Sequence, residues 1–199
     1  MIDPDRLKYD AITRELERMR AMQYSYHRKF FALLLVSTLV AGLGLMFPSG
    51  FSLTFVCFGL VTTGVTAAFL LHFCDFARTH ARALEAKLNE LLGERLLIAA
   101  ELESDYFYPH EEPHLGAALE WPKRFFVFYT LHFCGVWALF VVFAGWQLSQ
   151  GLSTGPFLLL TSVWLVWTTL NLLFVYGWFR GEAVRKMAQR LRETYAAKV

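Results

Sequence analysis

Two stretches of this chain contain no Asp, Glu, Lys or Arg: Phe30 to Cys74 and Phe125 to Phe179. Each is about twice the ~20 apolar residues that a helix needs to cross a bilayer. Each is also broken near its middle by turn formers, Phe47-Pro48-Ser49-Gly50 in the first and Gln150-Gly151-Leu152-Ser153-Thr154-Gly155-Pro156 in the second. The pattern predicts an all-α integral membrane protein with four transmembrane helices in two hairpins.

All 19 Lys/Arg and 17 Asp/Glu then fall outside those blocks. Residues 1–29 carry seven basic residues, 75–124 carry six and 180–199 carry six, while the two tight turns carry none. Basic residues next to membrane segments stay cytosolic, so both termini and the central segment are expected there. The chain divides accordingly into a cytosolic amphipathic helix (1–29), a transmembrane hairpin (30–74), a cytosolic helix with a Pro-rich loop (75–124), a second hairpin (125–179) and a basic cytosolic helix (180–199). The polar start, helix-patterned over 29 residues, argues against a cleavable signal peptide. Cys57, Cys74 and Cys134 all lie in the charge-free blocks, and structural disulfides are not expected. The final segment has six bases against two acids, which fits a position near anionic head groups or opposite the acidic central segment.

Asp3-Pro4 is a good helix start. From there Tyr9, Ile12, Leu16, Met19, Gln23, Tyr26 and Phe30 follow a 3,4 spacing that runs straight into the first span. A second stripe, Ala81, Leu84, Leu88, Leu91, Arg95, Ile98 and Leu102, continues the second span into water. Read as one helix, Phe51 to about Tyr108 is a mast of about 55 residues and roughly 80 Å, with Gly93 as a kink costing ~1 kcal/mol relative to Ala. Both stripes must be covered. The seam residues Ile12, Leu16, Met19, Leu84, Leu88, Leu91, Ile98 and Leu102 therefore either pack within the chain or join it to a second copy or a partner, and the C-terminal stripe Val184, Met187, Leu191 and Tyr195 is a further cover.

Three constellations could carry chemistry. Leu-His-Phe-Cys occurs at 71–74 and at 131–134. Residues i and i+2 of a helix point ~200° apart, so His and Cys of one copy cannot share a metal; His72 and His132 could face each other as haem or other metal ligands, or simply pack. In the Pro-rich loop, His110, Glu111, Glu112 and His114 are metal-ligating types, although Pro113 forbids a helical i,i+4 pair, and loop docking is the plainer role. Thr62 and Thr66 with Gly59 on the second span, and Thr161, Thr168 and Asn171 on the fourth, form polar stripes. These either bond their own i−4 carbonyls and neighbouring helices or line a weakly polar pore.

There is no Walker loop, G-x-S-x-G, HExxH or CxxC, and no aromatic-basic nucleic-acid module. No enzymatic activity, cofactor or direct nucleic-acid contact is expected. Charge-free spans also disfavour a proton pump or voltage sensor. The layout of four spans, minimal external loops and cytosolic helices resembles small bacterial membrane proteins, including membrane subunits of antiphage defence systems. The resemblance is one of layout, and it implies the bacterial inner membrane. The overall expectation is a non-enzymatic homo-oligomer in the bilayer whose cytosolic helices dock a soluble protein. An electron-transfer or metal-binding protein using His72 and His132 is the alternative.

Overall fold

The computed structural model describes residues 4–100, 102–103, 125–179 and 182–196. Among them there are five long helices and no strand: α1 (Pro4–Met46), α2 (Gly50–Leu92), α3 (Phe125–Gly151), α4 (Thr154–Phe179) and α5 (Glu182–Ala196). Four of these, α1 to α4, are long and apolar enough to cross a bilayer.

α1 and α2 are each 43 residues, about 64 Å, and form one antiparallel hairpin along almost their whole length. Its turn is short because α2 starts on a reciprocal cap: Ser49 Oγ accepts from Ser52 N at 3.0 Å while Ser52 Oγ accepts from Ser49 N at 2.8 Å. Close approach beyond the turn needs Gly44, where an added Cβ would meet Val56 Cγ2 at 3.0 Å. Each helix is half charge-free and half charged. The hairpin thus has an apolar half and a polar half, the latter here called the stalk.

α2 is the hub, touching every other helix. α3 packs on α2 and α1, and Trp137 Nε1 donates to Thr38 Oγ1 at 2.8 Å. α4 packs on α2, where Trp164 Nε1 donates to the Cys57 carbonyl at 3.0 Å. Although joined by a tight turn, α3 and α4 touch each other little, and both are held through α2. The apolar half has its own core, including Phe30, Leu34, Val56, Leu60, Trp137 and Ala144. The stalk has a separate one: Leu16, Met19, Ala81, Leu84, Leu88 and Ala100.

The mast is shorter than the sequence pattern predicts. α2 stops at Leu92 because Gly93 adopts a left-handed conformation (φ 70°) and its N–H turns back to Glu90 O. Asn89 then captures the chain: its Oδ1 accepts from Leu96 N (3.0 Å) and Leu97 N (2.8 Å), and its Nδ2 donates to Leu97 O (2.7 Å). Ala100 N reaches back to the Glu85 carboxylate at 2.9 Å. Residues 93–100 with 102–103 therefore form a strap folded back on the stalk, and Ile98 and Leu102 do not continue the α2 seam. The glycine ends the helix instead of bending it, and the side chains of Asn89 and Glu85 take up the strap's N–H groups at Leu96, Leu97 and Ala100.

Candidate functional site

Apart from Leu91, Ile98 and Leu102, the predicted seam is spent inside one chain. Leu16, Met19, Leu84 and Leu88 are buried in the stalk core, with Ile12 partly buried against it. Leu91, Ile98 and Leu102 are exposed, as are Leu7, Leu92 and Leu96 around them. The register of the hairpin puts Leu7 beside the α2 C-terminus, so most of these side chains gather at the far end of the stalk. An apolar cluster is thus exposed there, on the charged half of the hairpin.

Between the two cores lies a layer of buried polar groups. Asp75 and Arg78 form an ion pair at 2.5 Å, with side chains 8% and 2% exposed. Beside them Gln23 Nε2 donates to Glu103 Oε2 at 2.7 Å, and Cys74 Sγ approaches Gln23 O at 4.0 Å. His27 borders this layer. Burial pushes its pKa down and the Arg78 charge adds to that, while Glu103 and Asp75 act in the opposite direction. About two helical turns further along the stalk, Glu85, 3% exposed, binds both the Arg20 guanidinium and Ala100 N. These groups tie α1, α2 and the strap together, since a buried carboxylate must keep its donors or carry a large desolvation cost.

The C-terminal helix docks at the same level. His80 Nε2 and Tyr195 Oη are 2.8 Å apart, Phe76 meets the imidazole edge-on, and His80 Nδ1 is buried without a hydrogen-bond partner. Burial lowers the His80 pKa, with Glu15 opposing and Arg18 reinforcing. Burial, helped by Glu15, raises that of Tyr195.

The polar stripes turn inward on their own helices. Thr62 and Thr66 donate to Phe58 O and Thr62 O, both at 2.9 Å, and Asn171 Nδ2 donates to Trp167 O at 2.7 Å. Thr161 is half-buried, and Thr168 Oγ1 is buried without a partner. Thr62 shares an open groove of about 300 Å³ with Phe58, Val163, Val166, Trp167 and Leu170, whose other walls are apolar. His132 is exposed and lies edge-on to Phe133, while His72 carries a buried Nδ1 with no hydrogen-bond partner. Among the described residues no three His, Cys, Asp or Glu come together as metal ligands. His110, Glu111, Glu112 and His114 lie outside the described residues.

Missed in the sequence were the Asp75–Arg78 pair, Glu85 and Asn89. One signal was there to read: Asp75, Arg78 and Glu85 fall among the apolar positions of the α2 stripe, where a solvated charge would not sit. No family model, no curated protein and no solved structure matches the chain.

Proposed function

We propose that this is a non-enzymatic four-pass membrane protein, with both termini and the stalk in the cytosol, whose stalk tip docks a soluble protein. The tip carries the proposal: Leu7, Leu91, Leu92 and Leu96 are exposed at the end of a charged stalk, beyond the reach of lipid. Exposed leucines on α3 and α4 need no such partner, because lipid tails solvate them as well as protein does. The cytosolic orientation rests on the basic residues flanking the charge-free blocks. The bacterial inner membrane and a role in antiphage defence follow from the resemblance in layout alone.

In this reading the chain is a scaffold that couples partner binding to the spans. α1 and α2 run unbroken from tip to turn, so a displacement at the tip is carried into the apolar half by rigid helices rather than a flexible linker. A homo-oligomer would form through the same tip, since the Leu16–Leu88 seam is already occupied.

Photo-crosslinking in cells tests this directly. A benzoylphenylalanine at Leu92 or Leu96 should give discrete protein adducts, while one at Leu39 on α1 should give lipid adducts or none. An adduct of twice the chain mass identifies a second copy as the occupant. If the tip positions give no protein adduct while the membrane-embedded chain is intact, docking at the tip is wrong.

A further inference from the structure

We infer that the outer face of α5 is a binding surface for anionic phospholipid head groups. This rests on the membrane reading above and adds a ligand class to it. The first observation is one of level. Trp164 of α4 donates to Cys57 O of α2, so these two parallel helices are aligned with 164 opposite about 57. Phe179, the last residue of α4, then stands opposite the end of the charge-free block of α2. α5 begins at Glu182 and is fastened at its far end by Tyr195 to His80, only six positions beyond Cys74. That is a descent of about 9 Å beyond the charge-free border, whereas a 15-residue helix is about 22 Å long. α5 therefore slants across the cytosolic border instead of following the stalk downward. Its whole length lies within about one Debye length, ~8 Å, or slightly more of the head-group region.

The second observation is one of orientation. Met187, Ala188, Leu191 and Tyr195 are partly buried, Tyr195 against the stalk core, whereas Arg185, Lys186, Arg190 and Arg192 are exposed. An interfacial amphipathic helix usually turns its apolar face to the bilayer. Here protein occupies much of that face, and the basic face is the one presented outward. Arg28 and Lys29 of α1 are exposed at the same border, Lys29 with its ammonium 5.0 Å over the Tyr26 ring. Long basic side chains on either side of the border reach toward head groups while their stems lie on protein. Each adds a favourable increment at an anionic surface and none at a zwitterionic one.

Hydrogen exchange of the full-length protein in nanodiscs separates this from its alternatives. Exchange of the 182–196 amides should be at least about tenfold slower in phosphatidylglycerol-rich discs than in phosphatidylcholine discs at low salt, converging as salt rises. The fourfold variant R185Q/K186Q/R190Q/R192Q should lose the lipid dependence, whereas Tyr195→Phe, which removes only the His80 bond, should keep it. Inorganic phosphate added to phosphatidylcholine discs should not reproduce the effect; if it does, the ligand is a phosphate group and not a lipid surface. Equal exchange of wild type in both lipids overturns the inference and leaves an acidic protein as the partner of this face. The membrane reading would survive that result, since incorporation into discs is scored separately.

Discussion

Leu88→Ala and Leu91→Ala differ by one turn of α2, and they should behave in opposite ways. Leu88 is 2% exposed and belongs to the stalk core with Leu16, Met19, Ala81, Leu84 and Ala100. Truncating a buried Leu costs about 2–5 kcal/mol, with the lower values where neighbours collapse into the space. Two members of this core are alanines and cannot reach further, but Ala100 sits on the strap and can shift. A loss of about 3 kcal/mol follows, or a faster exchange of stalk amides by about a hundredfold at ~1.4 kcal/mol per tenfold. Leu91 is 45% exposed, and its truncation should stay within about 0.5 kcal/mol. Hydrogen exchange of residues 12–28 and 78–92 in nanodiscs measures both, and crosslinking from Leu96 in the Leu91→Ala and Leu92→Ala backgrounds measures docking. Leu88→Ala should open the stalk, and Leu91→Ala should weaken only docking. If Leu88→Ala leaves exchange unchanged while abolishing assembly, the seam is an interface between chains and the stalk core described here is wrong.

Three further outcomes are expected. Glu85→Ala removes the acceptor of Ala100 N and of the Arg20 guanidinium, so trypsin should cut after Arg95 at least about tenfold faster, the loss of a charged hydrogen bond being worth ~1.5–3 kcal/mol; an unchanged rate means that Asn89 and the Gln23–Glu103 bond hold the strap without Glu85. His27 and His80 both have pKa values below the ordinary 6.5, so the unfolded chain binds more protons as pH drops. Stability of the stalk and of α5 should therefore be complete above about pH 6.5 and decline below it until the folded values are reached; exchange followed from pH 7.5 to 5 checks this, and His80→Gln should flatten the response of α5 specifically. Trp164→Phe removes the indole donor to Cys57 O at about 1 kcal/mol, which should lower the melting temperature in detergent by about 2–4 °C, whereas Trp167→Phe in the open groove should leave it unchanged.

The membrane-crossing potential of four helices was legible because it depends on local composition: a charge-free run of double span length with a central turn has few alternatives, and Phe30–Cys74 and Phe125–Phe179 leave none of the charges inside. The helical stripe through Leu16, Met19, Leu84 and Leu88 was legible for the same reason, being a periodicity of one helix read along its own axis. What covers that stripe was not, because a heptad specifies an apolar face and says nothing of which chain supplies the other side. Only the hairpin geometry decided it, by laying α1 along α2 through the stalk and closing the core with Ala100. The same holds for Gly93. In sequence it is a weak spot of a long helix; in the fold it is a stop, where Asn89 and Glu85 supply the returning strap with the hydrogen bonds that a continued helix would have made along its own backbone. Charges amid an apolar stripe likewise acquire meaning only in three dimensions. Asp75, Arg78 and Glu85 look like interruptions along the chain; once packing removes the water that would otherwise have solvated them, Asp75 and Arg78 become the joint between two cores and Glu85 the anchor of the strap.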